Sequence, residues 1–229
     1  MVDKKILLLL SLISLVSTAD VVIIGDSRAC SFAYNILGFN YTYHNDNYAT
    51  GSYIIGAIPK NFGGHSIRVL CEVGASYRTF QDSKKYVTYA ANGILGSAQK
   101  GTVVLLWLGV NNPDVKATFS FYQSLANNYV RCKFFAVSVT GVGPRCDYIS
   151  NRKIKVFNIN LRNVIQKAHL SNLKYKNILN DDDPTQIYNS DSSKVTFVIT
   201  ESTTDKYDFH YNINGDREIL LAMLTDIEN

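Results

Sequence analysis

From Thr102 to Leu108 the chain reads Thr-Val-Val-Leu-Leu-Trp-Leu, apolar after its first residue and without alternation. A strand with one wet face alternates apolar and polar residues. An unbroken run belongs to a strand covered on both faces, which demands helices on either side of a sheet. Comparable runs recur at Asp20 to Gly25, Ile67 to Cys71, Lys133 to Thr140 and Tyr175 to Leu179, with helix-length stretches between them. This order predicts an α/β chain with a parallel sheet and Thr102 to Leu108 at its centre. Between Asn151 and His169 the apolar residues Ile154, Phe157, Leu161, Val164, Ile165 and Ala168 fall at helical spacing, one buried stripe. Ile213 to Ile227 reads as a final helix. Val195 to Thr200 is strand-prone and belongs either to the main sheet or to a lid. Gly38 to His65 is rich in Tyr, Asn and Gly and poorly periodic, so a long loop is expected there. Its tyrosines offer stacking faces that suit sugars, or the stretch is an ordinary surface excursion.

The N-terminus reads differently from the rest. Lys4 and Lys5 precede an apolar run from Ile6 to Val16, and Ser17-Thr18-Ala19 puts small residues just before Asp20. That is the layout of a secretory signal peptide, cleaved after Ala19. The run is shorter than the roughly 20 residues that cross a bilayer, so no stable membrane anchor is expected. The expected division is a signal peptide over 1–19 and a single domain over 20–229, exported and soluble. In an oxidising compartment the 4 cysteines are expected to form disulfides. The placement of the predicted strands favours Cys30 with Cys71 and Cys132 with Cys146. Their spacings do not suit a zinc site. Asn40-Tyr41-Thr42 is a glycosylation sequon, with meaning only in a eukaryotic source.

A net charge of +4 on 229 residues is mild, and the cations are dispersed. The acidic run Asp181 to Asp183 has the wrong sign for phosphate, so nucleic acid is not an expected partner. With 46% hydrophobic and 18% charged residues the chain is neither disordered nor fibrous. Oligomeric state is not readable.

Four short blocks lie where strands end or the last helix begins: Gly25-Asp26-Ser27-Arg28, Val73-Gly74-Ala75-Ser76, Leu108-Gly109-Val110-Asn111-Asn112 and Asp208-Phe209-His210-Tyr211. An open α/β sheet presents its chemistry at this edge. In this order the blocks resemble the SGNH hydrolase superfamily, the GDSL-type esterases and lipases. The likeness is greatest to bacterial members whose first block is Gly-Asp-Ser-Arg, and it spans nearly the whole of 20–229. The resemblance implies a flavodoxin-like three-layer α/β/α sandwich with a central parallel sheet. It also implies carboxylic ester hydrolysis with no metal or organic cofactor. Ser27 would be the nucleophile and His210 its base, with the backbone N–H groups of Ser27 and Gly74 and the Asn111 amide forming an oxyanion hole.

Those residue types suit the chemistry. A serine hydroxyl attacks once a base takes its proton, and an imidazole with a pKa of about 6.5 can do so near neutrality. Two positions depart from the pattern. The family's third triad member, an aspartate, stands three positions before the histidine, where this chain has Tyr207. Asp208, or else Asp205, is then the candidate to orient the ring; a carbonyl is the remaining possibility. Asn112 stands where the family has aspartate, a local hydrogen-bonding difference. Taken singly, the residues have plainer roles: Ser27 as a helix N-cap, Asn111 or Gly74 as turn residues, His210 at the surface. Arg28 could meet an anionic group of the substrate, form a salt bridge or face solvent. His44, His65 and His169 have no ligand spacing, and Glu72 has no evident partner. The expected substrate is a small-molecule or glycan ester with a short acyl group. The competing readings are an SGNH-scaffold binding protein without strong catalysis and an O-acyltransferase using the same residues.

Overall fold

The computed structural model describes residues 20–46, 49–188, 195–200, 202–204 and 209–227. The expected signal peptide, Asp205, Tyr207 and Asp208 lie outside the described residues.

The core of the fold is a run of parallel strands, β1 (Asp20–Gly25), β5 (His65–Glu72), β6 (Val103–Trp107), β7 (Lys133–Val137) and β8 (Leu173–Lys176). They are ordered β5-β1-β6-β7-β8, which is the flavodoxin sequence, with β6 in the middle. Parity explains why the runs are unbroken. Val21 and Ile23 of β1, Val103, Leu105 and Trp107 of β6, and Phe135 and Val137 of β7 enter one core. Val22, Ile24, Val104, Leu106, Phe134 and Ala136 enter the other. The first core is covered by α1 (Ser27–Asn35) and α6 (Ile213–Leu224). The second is covered by α2 (Tyr77–Gln81), α3 (Tyr86–Gly96), α4 (Val115–Asn128) and α5 (Asn151–Ala168). The result is a three-layer α/β/α sandwich. No helix among the described residues is long and apolar enough to cross a membrane.

Gly38 to His65 is not a long loop. It supplies β2 (Thr42–Asp46), β3 (Ala49–Ile55) and β4 (Lys60–Phe62), which extend the sheet antiparallel from β5. Ile54 is buried against the core while Tyr43 stays exposed, as expected of strands at a sheet margin. Val195–Val198 (β10) does not join the main sheet. It pairs antiparallel with β9 (Gln186–Tyr188) in a small second sheet. β7 ends at Val137, short of the expected Thr140, because Asn158 on α5 takes the backbone of Val139. The fifth parallel strand begins at Leu173 and ends before Ile178, whose N–H bonds the Ser138 hydroxyl instead.

Cys30 on α1 and Cys71 on β5 form a disulfide with their Cα atoms 5.5 Å apart. The second expected pair is not formed. Cys132 and Cys146 are free thiols. Cys132 is buried at the start of β7, whereas Cys146 lies in the loop that leads to α5 at the opposite edge of the sheet. Five strand residues separate those edges by roughly 17 Å, and a disulfide needs Cα atoms within about 7 Å.

Candidate active site at the carboxyl edge of the sheet

In this strand order α1, which follows β1, and α4, which follows β6, leave on opposite faces. In open α/β sheets such a parting is where a crevice forms beyond the strand ends. Ser27 begins α1 just after β1, and Asn111 follows β6.

Ser27 is the first residue of α1 and is 5% exposed. The N-cap role goes to its neighbour: the Asp26 carboxylate accepts the Arg28 N–H at 3.0 Å. Ser27 is therefore released from capping, and its N–H belongs to the first helical turn, which has no partner inside the helix. Gly25 lets the helix turn back closely on the strand, since a Cβ there would sit 2.4 Å from that of Ala29. Burial pushes the Asp26 carboxyl up to about 6, with the nearby Arg28 guanidinium opposing the rise.

Gly74 follows β5 with φ of +76°, the left-handed region where a Cβ is strained. Asn111 follows β6, and its Nδ2 donates to the Ala75 carbonyl at 2.9 Å. That one bond joins the second and third blocks and leaves the other amide proton for a ligand. Behind it, the buried Tyr122 hydroxyl holds both the N–H (3.1 Å) and the carbonyl (3.3 Å) of Leu108, so the exit from β6 is fixed from below.

His210 is half-buried and meets the Phe209 ring edge-on, with centroids 4.9 Å apart. Arg28 brings this segment to α1. Its side chain is 1% exposed, its Nη1 donates to the Thr140 carbonyl at 2.7 Å, and its guanidinium lies over the rings of Phe209 and Tyr211. Tyr211 in turn donates to the Gly141 carbonyl at 2.7 Å and shares a hydrogen bond with the Thr140 hydroxyl. Arg28 therefore faces neither solvent nor a salt-bridge partner among the described residues; it is a buried bracket. Asn158 and Asn151 on α5 complete the support. Their amides clasp both backbone groups of Val139 (2.8 and 2.7 Å) and of Val142 (2.8 and 2.9 Å).

Sequence reasoning gave no role to Thr140, Tyr211, Asn151 or Asn158. Tyr211 lies in the fourth block, but its partners stand 70 and 71 positions away, and Thr140, Asn151 and Asn158 lie outside the blocks. Glu72 does have a partner, Lys85 at 2.8 Å. Among the described residues no three His, Cys, Asp or Glu side chains gather as a metal site.

No protein-family model matches the sequence, and no curated protein does. Among solved structures, a platelet activating factor protein from Streptococcus pneumonia aligns at a TM-score of 0.56 and 15% identity, over 96% of this chain and 90% of that one. The likeness is one of fold. A salicylyl-acyltransferase from a tetracycline biosynthetic pathway aligns at 0.49 and 10% identity, over 91% of this chain and 54% of that one. An extracellular lipase from Streptomyces rimosus aligns at 0.43 and 13% identity, over 90% and 98%. The shared sandwich rests on the first of the three.

Proposed function

We propose that the chain is an exported serine esterase of the SGNH type, acting through an acyl-serine intermediate on short O-acyl groups of a carbohydrate. Two contacts support this reading, one joining blocks two and three and one joining blocks one and four. The Asn111 amide bonds block two, and Arg28 of block one grips the residues on either side of His210.

In this reading the His210 imidazole takes the proton from the Ser27 hydroxyl as the oxygen attacks the ester carbonyl. The carbonyl oxygen becomes an oxyanion, and the N–H groups of Ser27 and Gly74 and the free amide proton of Asn111 receive it. His210 then gives its proton to the leaving alkoxide, and water releases the acyl group by the same steps in reverse order. Asp208 is the proposed partner of the imidazole, keeping it in the tautomer that faces Ser27. Residues 1–19 are the proposed export signal and 20–229 the proposed catalytic domain. The Cys30–Cys71 disulfide is of a kind that persists in oxidising compartments and supports export. Carbohydrate is favoured by tyrosines near Gly74: Tyr53 pairs with Glu72 in register and stacks on Tyr86, which is 46% exposed.

The test is covalent labelling with a fluorophosphonate, followed by a panel of acetyl to long-chain esters on glycan, aryl and glycerol leaving groups. Labelling and turnover that disappear in Ser27→Ala are expected. A native protein inert to both, yet able to bind an acylated glycan, would mean a binding scaffold instead. Acyl products on an added sugar acceptor would mean transfer in place of hydrolysis.

A further inference from the structure

A groove of about 580 Å³ opens between the start of α4 and the first turns of α5. That volume falls in the range of small-molecule sites, roughly 300–1,000 Å³. Pro113, two residues beyond Asn111, forms one wall, so the groove begins within about 7 Å of chain from the proposed oxyanion hole. Its floor is Val115, Val156 and Phe157. The Phe157 ring lies where a Cβ on Gly109 would be, 2.5 Å away, so the floor is pressed against the loop that carries Asn111. Val156 stands off the α5 stripe of Ile154, Phe157, Leu161 and Ile165 that packs on the sheet, and 52% of it is exposed. Arg152 and Lys153 line the same groove, and among the described residues no acid does. Asp114, beside it in sequence, is turned to cap α4 through the Ala117 N–H at 3.0 Å.

We propose that this groove seats the acyl chain of the ester and favours chains that end in an acidic group. The inference rests on the esterase reading and deepens it. In that reading His210 must face the leaving oxygen, so the acyl chain departs on the side away from the histidine segment, and none of that segment's described residues lines the groove. An apolar floor takes methylene groups, and two cations at the rim take a terminal carboxylate. The pairing is at a wet surface, so it discriminates modestly and weakens with salt.

The experiment compares 4-nitrophenyl hexanoate with mono-4-nitrophenyl adipate, which have six-carbon acyl chains and differ in the terminal carboxylate. The ratio of kcat/KM, acidic over neutral, is expected to fall about 3- to 10-fold in Arg152→Gln/Lys153→Gln and to fall in wild type as salt is raised. A ratio that is the same in both proteins overturns the proposal. Binding is measured separately by titrating mono-4-nitrophenyl adipate into the Ser27→Ala protein, where no turnover is needed. If wild type hydrolyses neither ester, the esterase reading fails. The groove then stands if this binding saturates and is weakened by Arg152→Gln/Lys153→Gln or by Val156→Asp, and it falls if binding is absent or unaffected.

Discussion

The guanidinium carbon of Arg28 lies 4.9 Å from the centre of the Phe209 ring, and the ring of Tyr211 is 5.3 Å away on the same cation. The residue after the proposed nucleophile thus holds both neighbours of the proposed base. A desolvated cation–π contact contributes about 2 kcal/mol, and a hydrogen bond from a charged group about 1.5–3 kcal/mol.

Arg28→Met is expected to lower unfolding stability by about 3 kcal/mol, read by urea denaturation. It is also expected to cut kcat at least about tenfold with little change in KM, and to move the acid limb of the pH–rate profile as His210 loses its fixed setting. Arg28→Lys should restore little, because an ammonium cannot span two rings and the Thr140 carbonyl as the planar group does. A variant that loses stability but keeps the native pH profile would show that Arg28 serves the fold alone.

Asn111→Ala is expected to reduce kcat by about 100- to 1,000-fold, the usual effect of removing one oxyanion donor. Loss of the bond to the Ala75 carbonyl should cost about 1 kcal/mol of stability. Kinetics under denaturant-free conditions, paired with a melting curve, separate the two effects. Equal turnover in the variant would remove Asn111 from the site.

Sequence and structure agree on the elements whose signal is local. β1 was expected at Asp20 to Gly25 and found there, and α5 matches its predicted stripe, because unbroken apolar runs and helical spacing survive any tertiary context. The antiparallel flank was missed because β3 owes its strand form to pairing with β5, and β2 to pairing with β3 in turn, partners no local pattern names. The pairing of Cys132 with Cys146 failed for a related reason: bracketing a strand in sequence places two residues at its opposite ends. The grip of Arg28 on Thr140 spans 112 positions and was not legible at all.

The chain should lose stability as pH rises through the range set by two buried carboxyls. Burial pushes Asp26 up to about 6 and Asp216 up to about 7, the latter against hydrogen bonds from Asn35 and Ser31. Each group holds its proton more tightly when folded than when unfolded, where it titrates near 3.8. Their contribution is therefore intact below about pH 4 and is lost progressively up to about pH 7. Subtracting the pH–stability curve of Asp216→Asn from that of wild type isolates the upper part of this fall. A difference curve flat between pH 4 and 7 would falsify the assignment.

Replacing Cys30 and Cys71 together by Ser is expected to cost about 4 kcal/mol, the loop-closure value for a span of 41 residues. Replacing Cys132 and Cys146 should have no comparable effect on denaturant midpoint under non-reducing and reducing conditions alike. A large reductant-dependent shift in the Cys30/Cys71 double variant would show a second crosslink.

The bridge from Cys30 to Cys71 also ties the first turn after Ser27 to the strand that delivers Gly74. With that tether open, the proposed attacking group and charge-accepting glycine are still held by the ladder that pairs Gly25 with Cys71, so the covalent link reinforces a backbone register that already sets their spacing.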